Sequence, residues 1–217
     1  NHYRKPNFIN KIEKILLQFS NSIKQFFKNS QIYQIFKKNK RIVLFLINNK
    51  IIEVNDYIAD DFCNMKNKIK QYHTYFLPEM FSLLGKELKT VFDEEMDPNF
   101  YDKRKIGEND SYICELIRKD AIKEFIIYVN KNDLSLNSYI EYSIYETNPL
   151  LLKKDTTFIE YAAFFGSSQI FKYLFLNGVE LKTSLWIYSM HGENQEIIDI
   201  LIDNSIKIPY EICLKEA

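Results

Sequence analysis

The stretch TFIEYAAFFGSSQIFKYLFLNGV, residues 157–179, indicates how this chain folds. Thr157 and Glu160 have the T-x-x-E spacing of a capping box, in which the two residues satisfy free N–H groups at a helix start. Gly166 can adopt the positive φ that ends a helix and turns the chain. Asn177 and Gly178 form a second stop signal. The stretch therefore predicts a short helix, a tight turn and a second helix.

The side chains between these signals predict how the two helices pack. Ala162 and Ala163 are small, so a neighbouring helix could approach them closely. Ser167 or Ser168 could cap the second helix. The buried side of that helix is expected to consist of Ile170, Phe171, Tyr173, Leu174 and Phe175.

The same pattern recurs along the chain. SLWIYSMHGENQEIIDILIDNSI, residues 184–206, aligns after a shift of 27 residues, which places Trp186 where the first copy has Ile159. Residues 111–136 align with a one-residue gap, and residues 30–52 form a degenerate copy that lacks the glycines. A truncated copy begins at 210. Copies in register favour an all-α repeat solenoid with degenerate N-terminal repeats.

The pattern resembles the ankyrin repeat, T-P-L-H-x-A-A-x-x-G-x-x-x-I-V-x-x-L-L-x-x-G-A. Phe158 replaces the proline, and Glu160 replaces the histidine while completing the capping box. The motif positions that we assign to repeat structure are Thr157, Glu160, Ala162, Ala163, Gly166, Ile170, Leu174 and Gly178.

A closer resemblance covers almost the whole chain. The segments YICELIRKDAIKEFIIYVNKNDLSL and EYAAFFGSSQIFKYLFLNGVELKTSLW are similar to a domain of unknown function that precedes ankyrin arrays in a large trichomonad protein family. The resemblance implies an ankyrin-like fold and further repeats after Ala217, but no mechanism. We expect a helical N-terminal region over 1–106 and ankyrin-like repeats over 107–217. Within the first region we expect a helix break near Pro78 and an exposed loop or helix end over 93–105.

The leading functional hypothesis is a non-enzymatic scaffold that binds a protein partner. In ankyrin-like stacks the partner usually contacts the first helices and the turns between repeats. The resemblance places Lys154, Asp155, Lys182, Thr183 and Trp186 there. For Trp186 a second interpretation stays open, because the repeat pattern requires a buried residue at its position.

The charge distribution supports an alternative hypothesis. Residues 1–50 contain 11 Lys and Arg but only one acid, Glu13, although the whole chain is neutral. An amphipathic helix beginning near Phe8 could bind nucleic acid or an anionic membrane, with the repeats as support. Neutralising Lys37, Lys38, Lys40 and Arg41 would test this alternative.

The sequence contains no catalytic or metal-binding motif that we could assign. The three histidines lie far apart, and no Walker loop or G-x-S-x-G occurs. We therefore expect no enzyme activity, cofactor or metal. The three cysteines are odd in number and widely spaced, which favours a reduced protein of the cytoplasm.

Overall fold

The computed structural model describes residues 6–64, 70–84, 97–152 and 155–211. Within these ranges every regular element is a helix, and the only sheet-like contact is an isolated antiparallel bridge between Tyr139 and Thr157. The predicted all-α class is therefore confirmed. No helix in the described part of the chain combines the length and apolarity needed to cross a bilayer.

The chain forms two compact units. The N-terminal unit comprises the described residues of Lys5–Asn109 together with Tyr142–Leu152, and the C-terminal unit comprises Asp110–Glu141 and the described part of Lys153–Ala217. This division differs from the expected one at 106/107, because a segment between two repeats packs with the N-terminal helices.

The described residues of the N-terminal unit contain seven helices. They are α1 (Pro6–Gln18), α2 (Ser20–Phe26), α3 (Asn29–Phe36), α4 (Lys40–Asn48), α5 (Asp56–Asn64), α6 (Lys70–Leu84) and α7 (Phe100–Ile106). Their core is rich in aromatic rings: Phe62 stacks on Phe76 with ring centroids 4.4 Å apart, and Tyr33 meets Phe62 edge to face at 5.8 Å. Such pairs add stability beyond the apolar area that they bury.

Two local expectations for this unit were wrong. We expected a helix break near Pro78, but α6 continues through it. A proline accepts helical φ and removes only one N–H donor, and the full burial of Phe76 and Met80 on either side outweighs that loss. Part of the charged stretch 93–105 was expected to be an exposed loop or helix end. Residues 93–96 lie outside the described ranges, but α7 buries Phe100 and Arg104.

The C-terminal unit contains three successive helix pairs among its described residues. They are α8 (Tyr112–Arg118) with α9 (Ile122–Lys131), α10 (Phe158–Phe165) with α11 (Ser168–Leu176), and α12 (Leu185–Gly192) with α13 (Gln195–Asp203). These pairs fall within the segments predicted at 111–136, 157–179 and 184–206. The truncated copy predicted from 210 lies largely outside the described residues.

The second helix of each pair ends in the same way. An asparagine side chain follows the helix, and its amide donates a 2.8 Å hydrogen bond to the carbonyl four residues earlier. The next residue has positive φ, and the N–H after it bonds back to the helix, as in a Schellman motif. The four asparagines are Asn132, Asn177 and Asn204 of the C-terminal unit and Asn49 after α4. Their successors are Asp133, Gly178, Ser205 and Lys50.

The turn inside each pair of the C-terminal unit also repeats. Asp120, Gly166 and Glu193 follow the first helices and have φ values of 51°, 63° and 47°. From this turn residue to the final asparagine there is one residue more in the first pair than in the other two. That extra residue accounts for the one-residue gap in the sequence alignment.

Candidate functional site

Polar contacts join the three helix pairs of the C-terminal unit. One of them, between the second and third pairs, lies at the start of α10. Thr157 and Glu160 form a capping box there, with the Thr157 N–H donating to Glu160 Oε2 at 2.9 Å. The other carboxylate oxygen, Oε1, accepts a 2.7 Å hydrogen bond from the Ser184 hydroxyl. One carboxylate therefore caps its own helix and fixes the loop that leads into α12.

Adjacent first helices approach each other closely at small residues. Ala162 and Ala163 of α10 are completely buried. A Cβ atom added to Gly192 of α12 would lie 2.0 Å from the backbone oxygen of Ala163. The two alanines therefore lie at a close helix contact, as expected. Gly192 forms the other side of this contact, which the sequence pattern did not predict.

The turn at Gly166 receives a contact from the following pair. The Asn194 amide donates a 2.9 Å hydrogen bond to the Gly166 carbonyl. Asn194 also caps its own helix α13 by accepting from the N–H groups of Glu196 and Ile197 at 3.0 and 3.3 Å. As with Glu160, one side chain serves both its own helix and the neighbouring pair.

The expected serine cap of α11 was wrong. Ser167 occupies the cap position, but its hydroxyl donates to the Ile117 carbonyl in the preceding pair. The cap comes instead from Asp120, whose two carboxylate oxygens accept from the N–H groups of Gln169 and Ile170 at 3.0 and 2.9 Å. A carboxylate can accept both bonds at once, which a single hydroxyl does less well.

The residues predicted to bind a partner divide into three groups. Asp155, with φ of 73°, precedes α10 and is exposed, and Lys182 and Thr183 are exposed in the loop before α12. Lys154 lies outside the described residues. Trp186 is only 7% exposed, and its indole N–H donates a 3.0 Å hydrogen bond to the Ile206 carbonyl. The structure therefore places Trp186 in the core, the second interpretation that the repeat pattern left open.

A groove in the C-terminal unit was not anticipated. Its volume is about 700 Å³, and its walls come from the start of α8, the end of α9 and the irregular segment 134–141. That segment is held by backbone hydrogen bonds from Ile140 N–H to Thr156 O at 2.7 Å and from Phe158 N–H to Ser138 O at 3.2 Å. Most of this segment lies after the repeat predicted at 111–136 and before the one predicted at 157–179, so the repeat pattern makes no prediction for it.

The groove has an aromatic and polar lining. Tyr139 is 56% exposed, and Tyr128 packs edge to face against Tyr112 with ring centroids 5.1 Å apart. Asn132 and Glu141 add polar groups. Exposed tyrosines beside hydrogen-bonding groups are typical of surfaces that bind other proteins.

Most cations of the basic cluster in the alternative hypothesis already have partners within the N-terminal unit. Lys40 is completely buried, and its ammonium donates to the carbonyls of Ile144 and Glu146 at 2.9 and 3.2 Å. Burial lowers the pKa of Lys40 to about 7. The expectation that Lys40 belongs to an accessible basic patch was wrong, because this lysine holds the segment 142–152 within the N-terminal unit.

Two neighbouring cations in that cluster are paired. Arg41 forms a 2.9 Å ion pair with Glu13, and Lys37 lies 3.6 Å from Asp61. Lys38 is exposed. A contact of this cluster with a polyanion would therefore have to compete with existing carboxylate partners.

The histidines and cysteines of the described ranges are not grouped into a site. In the described ranges no three His, Cys, Asp or Glu residues are placed to hold a metal ion. Cys114 is buried in α8 and Cys63 is exposed in α5, while His191 stacks against Phe164 with ring centroids 5.1 Å apart. Asp97 pairs with Lys103 at 2.5 Å, and the acidic residues 93–95 that precede it in sequence lie outside the described ranges.

No protein-family model, no curated protein and no solved structure matches this chain.

Proposed function

We propose that the chain is a non-enzymatic scaffold of the cytoplasm whose C-terminal unit is an ankyrin-like stack that binds a protein partner. One observation carries the proposal. Three successive helix pairs share the same turn geometry, and side chains of one pair form capping or turn contacts with the adjacent pair. This is how repeat proteins build a stack from nearest-neighbour contacts.

Two further observations support a binding role. The loops before α10 and α12 expose Asp155, Lys182 and Thr183 instead of packing them. The groove beside α8 and α9 exposes Tyr139, and tyrosine contributes a large contact area at low cost in conformational entropy.

Site-specific photocrosslinking would test the proposal. A benzophenone amino acid would be placed at Lys182 and, separately, at Tyr139 in the full chain, which would then be irradiated in cell lysate. The matched control positions are Ile127 and Leu176, which are 66% and 79% exposed on the second helices α9 and α11.

We expect the same protein adduct from Lys182 and Tyr139, surviving a high-salt wash before irradiation, and none from the controls. Adducts from the control positions alone would contradict the assigned surface. The absence of a defined adduct from all four positions would contradict the scaffold function.

A further inference from the structure

The first two helices of the N-terminal unit form a nearly continuous helix with an exposed apolar stripe. The backbone bonds Phe19 N–H to Ile15 O at 3.0 Å and Ile23 N–H to Phe19 O at 2.8 Å carry the helical register from α1 into α2. Residues spaced three and four apart therefore remain on one side. Ile15, Phe19 and Phe26 are four and seven residues apart, about one and two turns, and are 54%, 52% and 75% exposed.

The part of the helix that adjoins this stripe packs on the core. Leu16 is buried, and Ile12 and Ile23 pack against the cluster of buried residues in the unit. Helix α2 has no buried residue at all. The stripe is therefore the solvent-exposed margin of the helix face that packs on the core, and it is left uncovered among the described residues.

Basic side chains border the stripe. Lys11 lies one turn before Ile15 on the same side, and Lys14 lies on the adjoining polar side of the helix, both exposed. Between residues 9 and 38 the only acid in the sequence is Glu13, which pairs with Arg41 at 2.9 Å. A surface with exposed aromatic and aliphatic residues next to unneutralised lysines matches the interface of an anionic bilayer.

We infer that the stripe Ile15, Phe19 and Phe26, flanked by Lys11 and Lys14, docks peripherally on anionic lipid. A second copy of the same face would bring lysine against lysine. Single-stranded nucleic acid is usually held in a basic groove that tracks its backbone, whereas this stripe stands on the outside of a helix. The nearby groove lined by Phe27, Ile35 and Tyr57 is a poorer match, because α5 adds the exposed acids Asp56 and Asp60.

Vesicle flotation with the full chain would test this inference. The vesicles would contain phosphatidylcholine alone or an equimolar mixture with phosphatidylserine. The variants are Phe19→Ser with Phe26→Ser, and Lys11→Gln with Lys14→Gln. Matched controls in the C-terminal unit are Leu176→Ser, which changes an apolar residue that is 79% exposed, and Lys131→Gln.

We expect the protein to float with phosphatidylserine vesicles only. The phenylalanine variant should lose roughly tenfold or more in affinity, and the lysine variant about fivefold for each lysine removed. Both controls should bind like the original chain, and far-ultraviolet circular dichroism should show equal helix content in all variants.

Three outcomes would overturn the inference. The protein could fail to float with phosphatidylserine, or Leu176→Ser could weaken binding as much as the phenylalanine variant. A single-stranded RNA oligonucleotide could also bind in a salt-sensitive way while the phenylalanine variant still binds vesicles normally. None of these outcomes bears on crosslinking from Lys182 or Tyr139, so this test is independent of the proposed scaffold function.

Discussion

Gly192 of α12 and Ala163 of α10 approach so closely that a Cβ on Gly192 would lie 2.0 Å from the Ala163 carbonyl oxygen. The neighbouring atom belongs to backbone, so it cannot move aside as a flexible side chain would. The contact therefore sets the spacing between two adjacent first helices of the C-terminal unit.

We predict that Gly192→Ala destabilises the C-terminal unit by about 3 kcal/mol, the upper part of the usual range for overpacking. Urea unfolding followed by the fluorescence of Trp186, the only tryptophan, would measure the loss. Gly178→Ala is the control: Gly178 has φ of 86° but open space around it, so only the backbone cost of about 1 kcal/mol applies. Equal losses in the two variants would contradict the close-contact explanation.

A second prediction concerns the carboxylate that links the first two pairs of the C-terminal unit. Asp120→Ala removes both hydrogen bonds to the N-terminus of α11, and we expect a loss of about 1–2 kcal/mol in unfolding free energy. Asp120→Asn keeps one oxygen acceptor and tolerates positive φ, so it should lose less.

Asp133→Ala provides the matched control for Asp120. Asp133 also has positive φ, 50°, but it follows the second helix α9 and has no comparable capping role in the structure. If Asp133→Ala cost as much as Asp120→Ala, the loss at Asp120 would reflect backbone strain and not the cap.

The third prediction uses the repeated helix ending. Ser205 has φ of 53° where the preceding pair has Gly178 with φ of 86°. Ser205→Gly should therefore stabilise the C-terminal unit by about 0.5–1 kcal/mol, because glycine adopts this conformation without a Cβ clash. Ser205→Ala keeps the Cβ and should not stabilise. Thermal unfolding of the two variants would decide, and equal midpoints would contradict the prediction.

The sequence could predict those features that depend on neighbours along the chain. The capping box of Thr157 and Glu160 and the turn at Gly166 are local signals, so the pair α10 and α11 was placed within a few residues. The same holds for Asn194, which caps the helix that begins directly after it.

Contacts between distant segments could not be predicted in this way. Asp120 caps a helix about 50 residues later, so its role depends on how two pairs stack. Lys40 counted as a surface charge because lysine usually is one, but its carbonyl partners are more than 100 residues away in sequence. The groove beside Tyr139 arises in a segment with no repeat pattern.

The last prediction concerns buried Lys40, whose ammonium lies 5.5 Å from the ring centroid of Tyr72 and 5.1 Å from that of Tyr75. Burial lowers its pKa from 10.5 to about 7, although the nearby Glu146 acts in the opposite direction. Between these two values the unfolded chain binds more protons at this site than the folded one. Stability should therefore rise with pH above about 7, by up to about 1.4 kcal/mol per pH unit.

The pH range suited to this measurement ends before the tyrosines begin to ionise. Burial raises the pKa of Tyr72 and Tyr75, so the unfolded chain loses their protons first and stability falls again above about pH 10. Urea unfolding from about pH 7 to about pH 9, followed by far-ultraviolet circular dichroism, should show the rise. Because Trp186 lies in the C-terminal unit, its fluorescence would show how much of the change in unfolding free energy belongs to that unit.

Two methionine variants distinguish the effect of Lys40 on the pH dependence of stability from that of the other titrating groups. Lys40→Met removes the titrating group while keeping its apolar stem, so the rise should disappear. Stability near pH 7 should fall by about 1–3 kcal/mol, because the Ile144 and Glu146 carbonyls lose their donor. Lys38→Met changes an exposed lysine in the same turn and should leave the rise unchanged. Parallel curves for the original chain and Lys40→Met would show that Lys40 stays charged in its buried position, held by the two carbonyls and the two tyrosine rings.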